Sequence, residues 1–180
     1  MRTFLGLDLS LNATGMVAVP ADWNGEWHRI RRHTYGEDLT KDAPEPARIG
    51  RLLRISSEVL AFARLHRVTD VVCEQYAFSA QAAQARALGE LGGVVKVRLS
   101  LELGLNAQPV PPASARKLLL GKLPTRGVKE ATHEELVRMG MPIQWGLDEM
   151  DAFVVANWAM AAVGCYALAV KPLGGKGRAA

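Results

Sequence analysis

An aspartate stands inside the first apolar run of the chain. Residues 3 to 19 read TFLGLDLSLNATGMVAV, and Asp8 follows Phe4, Leu5 and Leu7 where a buried strand should lie. A carboxylate placed there without a partner costs several kcal/mol, so the fold must bring positive charge to it. The run then breaks at the small polar residues SLNATG and resumes as MVAV, which predicts two strands joined by a turn around Asn12 to Gly15.

At 180 residues, 49% of them hydrophobic, the chain suits one packed domain, expected over 1–170, with 171–180 as a loose basic tail. No apolar run approaches the roughly 18 residues of a membrane span. Only Arg2 precedes the first strand, and no signal peptide is expected. Cys73 and Cys165 lack metal-ligand spacing and sit in apolar segments, so both read as core residues of a protein in a reduced, cytoplasmic compartment with no membrane partner. The formal net charge of +4, with a pI near 9.3, permits a polyanionic partner without requiring one. Positive charge concentrates in HRIRRH (28–33), ARKLLLGKLPTRGVK (115–129) and KPLGGKGR (171–178), each of which, taken alone, reads first as a solvated surface.

The remaining pattern predicts a third strand at WHRIRRHTY (27–35), a helix from about PEPARIG to Leu65 and a strand at DVVCEQ (70–75). A long helix over 80–103 follows, then a strand at AQPVP, helical pieces over 113–120 and 128–139, and a final helix over 147–170. Three strands, then alternating helices and strands, then helices describe an α/β protein: a mixed sheet with helices on its faces. The pattern alone leaves the strand order open.

Four acids come from three of these segments. Asp8 lies in the first strand and Glu74 ends the strand DVVCE. Asp148 and Asp151 stand three apart in GLDEMDAFVVANWA, close enough around a helix axis to reach one point. Glu149 points elsewhere. Each acid has a plain alternative: a turn cap for Asp8, a loop start for Glu74, a helix N-terminal charge for Asp148. Taken together, with Asp8 and Glu74 both ending core-like strands, they predict a hard-oxygen site for Mg²⁺ or Mn²⁺, of the kind that cuts phosphodiesters with a pair of ions.

The motifs GLDLSLNATG, VVCEQYAF, QARALGELGGVV, ARKLLLGKLPTRGVKEAT and DEMDAFVVANWA together resemble the RuvC-type Holliday-junction resolvases of the ribonuclease-H-like superfamily, over about residues 3 to 165. The resemblance implies a ribonuclease-H-like fold, a five-stranded mixed sheet in order 3-2-1-4-5 with strand 2 antiparallel and helices on both faces. It also implies a homodimeric, metal-dependent endodeoxyribonuclease that cuts opposed strands of a four-way junction. Asp8, Glu74, Asp148 and Asp151 would hold two Mg²⁺ (or Mn²⁺), Lys129 would stand near the scissile phosphate, and Lys117 would be a second basic residue there. Arg116, Lys117, Lys122 and Arg126 are candidate DNA contacts, and Tyr76 and Phe78 candidate stacking residues.

The chain departs from that pattern in three places, one of them an insertion-like GKLPTRG just before Lys129 that shifts the local register. Bacterial members usually read Asp-Pro-Gly where this chain has Asp8-Leu9-Ser10, which fits a divergent branch such as a phage-encoded one acting in the host cytoplasm. They tend to carry an aromatic where it has Ala77. On the long helix, Ala85, Gly89 and Gly93 form a small-residue stripe that either admits a second copy or packs on its own sheet. His133 reads as a solvated helix residue, and the four tryptophans as core or loop anchors. Rival readings are another ribonuclease-H-like nuclease acting on flaps, branches or RNA–DNA hybrids, and a non-catalytic nucleic-acid binder. The two-lobed actin-like ATPases open similarly but need a far longer chain.

Overall fold

In the computed structural model, which describes residues 1–40, 42–75 and 82–168, five strands form one sheet. The strands are β1 (Thr3–Asp8), β2 (Thr14–Pro20), β3 (Arg31–Tyr35), β4 (Asp70–Glu74) and β5 (Ala107–Val110). Their order is β3-β2-β1-β4-β5, with β2 antiparallel to β1 and β3, and with β4 parallel to β1 and β5. This is the predicted order. The β1–β2 turn closes on its own side chains. Thr14 Oγ1 donates to the Ser10 carbonyl at 2.6 Å and accepts from the Ser10 N–H at 3.1 Å. Ser10 Oγ in turn accepts from the Asn12 and Ala13 N–H groups at 3.3 and 3.4 Å, so the serine has a local structural role that a glycine could not fill.

Alternation along β1 and β4 separates two cores. Leu5, Leu7, Val71 and Cys73 face α1 (Glu45–Leu65) and α2 (Ala82–Leu103). Phe4 and Val72 face the opposite layer of α3 (Pro112–Leu120), α4 (Val128–Arg138) and α5 (Leu147–Ala162). In α1, Ile55, Val59 and Phe62 recur at three- and four-residue steps and are buried. Trp23 and Trp145 are buried in the second core, Trp27 and Trp158 pack at its edge, and Trp23, Trp27 and Trp145 all meet Phe153 edge-on or tilted. Cys73 is buried and Cys165 half-buried, neither of them in a disulfide. Among the described residues, no helix is long and apolar enough to cross a membrane.

Two predicted boundaries shift. Trp27–Arg29 is a single 3₁₀ turn, and β3 starts only at Arg31, because the Trp27 ring is drawn towards Phe153 before the strand begins. The last helix ends at Ala162 instead of continuing to residue 170. Gly164 takes φ +77°, a left-handed conformation that ends a helix, and the chain turns back. Asn157 then clamps Leu168 through two hydrogen bonds, at 2.8 and 2.7 Å. The expected tail at 171–180 lies outside the described residues.

Two glycines let α5 lie unusually close to the sheet. A Cβ on Gly6 would come within 2.0 Å of the Ala152 carbonyl oxygen, and one on Gly15 within 2.1 Å of the Asp148 carbonyl oxygen. Gly15→Ala is therefore expected to destabilise the fold by about 3 kcal/mol, since backbone and not a flexible side chain must yield. Urea unfolding measures this directly.

Candidate active site

The strand registers carry Asp8 and Glu74 to the same place. Leu7 pairs with Cys73 across the parallel β1–β4 ladder, so the next residue on each strand is an acid at its carboxyl end. Period-two alternation turns both acids toward the α5 layer, the side opposite Leu7 and Cys73. Gly15, the register partner of Asp8, touches the backbone of Asp148. The first turn of α5 is thereby set against the end of β1, and Asp151 follows one turn on. Glu149 faces away, as predicted. Its buried carboxylate pairs with Arg32 and accepts the Gly146 N–H at 3.0 Å, helping to start α5.

Basic groups converge on Asp151, which is only 1% exposed. Lys129 Nζ lies 2.5 Å from Oδ2, while Arg116 Nη2 and His133 Nε2 lie 3.3 and 3.2 Å from Oδ1. The same Arg116 nitrogen is 3.3 Å from each Glu74 oxygen. Burial pushes the Asp151 carboxyl up. The His133 and Lys129 hydrogen bonds and the charges of Lys129 and Arg116 outweigh it and hold the group at about 2.

The other acids are less well compensated. Burial, reinforced by Glu74, Asp151 and Asp148 against the opposing charge of Lys129, lifts Asp8 to about 7. Burial also raises Glu74, partly offset by Arg116, and raises Asp148, partly offset by Lys129. For Lys129, desolvation works against the ammonium, but the hydrogen bond and charge of Asp151 raise it overall.

Four carboxylates set against the two cations Arg116 and Lys129 leave the site with a net formal negative charge that draws divalent cations. The donors are all oxygens, which suits Mg²⁺ or Mn²⁺. Among the described residues, no three acids, histidines or cysteines already stand in a ligand arrangement. Arg116 and Lys129 hold some of the carboxylates instead.

The basic candidates divide. Arg116 is buried within the acid cluster and is not on a solvent-facing DNA surface; it lies on the buried face of α3 with Ala115 and Leu119. Lys117, one residue on, is turned about 100° around the helix and lines a hollow with Trp158 and Ala161, away from the acids. The basic residue of α3 beside the acids is therefore Arg116. Lys122 and Arg126 are exposed on the α3–α4 connection. Tyr76 and Phe78 lie outside the described residues.

His133, expected to be solvated, is largely buried against Asp151. It stands one helical turn after Lys129, and that i, i+4 spacing was the available signal. His133→Ala is expected to cost about 1–3 kcal/mol by leaving part of a buried carboxylate unpaired. His133→Gln, whose amide nitrogen reaches a similar position, is expected to restore most of this in urea unfolding.

No protein-family model matches this chain, and no curated protein matches it by sequence. Its fold does have solved counterparts. RuvC of Thermus thermophilus, in a structure with a Holliday-junction substrate, aligns at a TM-score of 0.68 and 20% identity over 91% of this chain and 97% of RuvC. A second structure of that RuvC gives 0.65 and 19%, covering 90% and 96% of the two chains. The yeast mitochondrial Holliday-junction resolvase Ydc2 gives 0.56 and 12%, covering 87% and 77%. The chain thus has the ribonuclease-H-like fold in its RuvC-type form.

Proposed function

We propose that the chain is a metal-dependent endodeoxyribonuclease that resolves four-way DNA junctions. The observation that carries this reading is the convergence of Asp8, Glu74, Asp148 and Asp151 with Lys129 and Arg116 at the carboxyl ends of β1 and β4. The fold shared with two resolvases supports the choice of substrate.

Asp8, Glu74, Asp148 and Asp151 would hold Mg²⁺, or Mn²⁺, two ions per site. Bound metal supplies Lewis-acid activation of the attacking water and charge stabilisation at the leaving 3′ oxygen, so the product carries a 5′-phosphate. The rest falls to the chain. Asp8, lifted to about 7, must lose its proton before it can serve as a ligand. Arg116 ties Glu74 to Asp151 and keeps two strands and a helix in one geometry. Lys129 is half-exposed with its ammonium at the cluster, so it can offset charge growing on the phosphate.

Paired incisions require two sites, and α2 supplies a surface for a second copy. Leu91, Val95 and Leu99 pack on the sheet. On the opposite side, Gly89, Gly93, Val97 and Leu101 follow at four-residue steps, and among the described residues nothing lies within 4 Å of where either glycine's Cβ would be. Val97 is 56% and Leu101 82% exposed. The small-residue stripe therefore does not pack on its own sheet, and a two-fold homodimer would cover it. Leu101→Glu is expected to convert a dimer near twice 19.5 kDa to monomer in light scattering, with the fold retained.

The function is tested by incubating the protein and Mg²⁺ with a synthetic four-way junction, a flap, an RNA–DNA hybrid and a plain duplex. Symmetric nicks confined to the junction are the expected result. Preferential cutting of the hybrid or flap would assign the site to another nuclease of this fold. No cutting of any substrate would leave a nucleic-acid binder.

A further inference from the structure

Within the basic run HRIRRH, one residue turns inward. Arg32 pairs with Val17 across the β2–β3 ladder, and Val17 belongs to the core on the α5 side of the sheet, so Arg32 shares that face. Its guanidinium lies over the Trp145 ring, 5.3 Å from the centroid, and forms an ion pair with Glu149. The Arg32 side chain is 34% exposed but that of Glu149 only 8%, so this is not the solvated surface pair that contributes little. Glu149 Oε2, the oxygen that Arg32 binds, also accepts the Gly146 N–H at 3.0 Å at the start of α5.

Asp148 stands between Gly146 and Glu149 on that first turn, and it is secured differently from Asp151. Three side chains grip the Asp151 carboxylate, whereas the hydrogen bond to the Asp148 carboxylate comes from its own backbone. The position of Asp148 is therefore set by the turn that carries it. Gly15 limits how near that turn can come to β2, since the Asp148 carbonyl oxygen packs where a Cβ would stand. The Arg32–Glu149 pair ties the same turn to β3 and keeps it from moving away. Without Arg32, a buried carboxylate would lose its counter-ion, turn towards water and release the Gly146 N–H.

We propose that Arg32 is a positioning residue: through Glu149 it fixes the first turn of α5 so that Asp148 can join Asp8 and Glu74 as a metal ligand. The inference rests on the metal-dependent nuclease reading above, and it gives a role to two residues that reading leaves without one.

The test is Mn²⁺ binding to the DNA-free protein, read from the electron paramagnetic resonance of free Mn²⁺. Arg32→Met is expected to weaken binding about tenfold, as loss of a group supporting a ligand does. Arg32→Lys keeps the charge but not the planar stack on Trp145, and is expected to return to within about threefold of the wild type. Glu149→Gln still offers an oxygen to the Gly146 N–H; it is expected to weaken binding about threefold to tenfold, and it takes the place of Arg32→Met should that variant not fold. Arg64→Met breaks the distant pair with Glu102 and is expected to stay within about twofold of the wild type. The Asp148→Asn/Arg32→Met double variant is expected to bind within about twofold of Asp148→Asn alone, because Arg32 then has no ligand to place. In junction cleavage, Arg32→Met is expected to lower kcat while KM stays within about twofold. No loss in Arg32→Met, or a loss of the same size in the Asp148→Asn background, overturns the role of Arg32. A wild type that takes up no Mn²⁺ overturns the metal reading on which that role rests. The expected coupling without cleavage of any DNA would overturn only the nuclease reading.

Discussion

Asp8→Asn is expected to abolish strand cleavage and yet make the metal-free protein more stable. The carboxyl of Asp8 sits at about 7 in the fold, against 3.8 when unfolded. Below pH 4 it is protonated in both states and carries no penalty. As pH rises from 4 to 7 the unfolded chain releases the proton first, so stability falls, and above 7 the whole penalty is present. At about 1.36 kcal/mol for each tenfold weakening of the acid, relieving it at pH 8 adds about 2–4 kcal/mol. For a chain of this length that is about 5–15 °C in Tm. Melting in EDTA at pH 8 and pH 5 checks the sign, since the gain should shrink by more than half at the lower pH. Added Mg²⁺ should then stabilise the wild type, whose ligands it neutralises, and leave the variant nearly unchanged.

Asp151→Asn is expected to act in the opposite direction on stability while also removing activity. Asp151 is the shared counter-ion of Lys129, Arg116 and His133, and it lies almost completely buried. Its carboxyl is held at about 2, against 3.8 unfolded, so its contribution is full above pH 4 and is lost as pH falls through 2. That difference alone is about 2–3 kcal/mol. Leaving Arg116 partly uncompensated in a buried site raises the expected loss to about 3–5 kcal/mol. Urea unfolding at pH 7 would show it. Two aspartates of one site thus differ in kind: Asp8 is held at the expense of stability, and Asp151 sustains the fold around it.

Much of this site was legible in the chain, for identifiable reasons. Asp8 and Glu74 stand out because a carboxylate closing an apolar strand conflicts with its neighbours, and Asp148 and Asp151 because a three-residue step on a helix is geometric. The elements followed from periodicity, but their order in the sheet did not, since hydrophobic alternation is indifferent to which strand lies beside which. Only the likeness of several motifs to a known family supplied it. Local pattern also failed where packing decides. Arg116 and Lys117 are adjacent and equally basic, and only the seating of Ala115 and Leu119 in the core determines which of them turns to the acids. His133 looked like any helix histidine until α4 was laid against α5. The glycines that seat α5 against the sheet, Gly6 and Gly15, are set by contacts with a helix more than 130 residues away in the chain.

The central claim is that acids from distant segments form one metal-dependent cutting site. It is tested most directly by following nicks in a labelled four-way junction with the wild type, Asp8→Asn and Glu74→Gln, each with Mg²⁺ and with EDTA. The account predicts 5′-phosphate products from the wild type with Mg²⁺ alone. Undiminished cutting in EDTA, or by either variant, would contradict it.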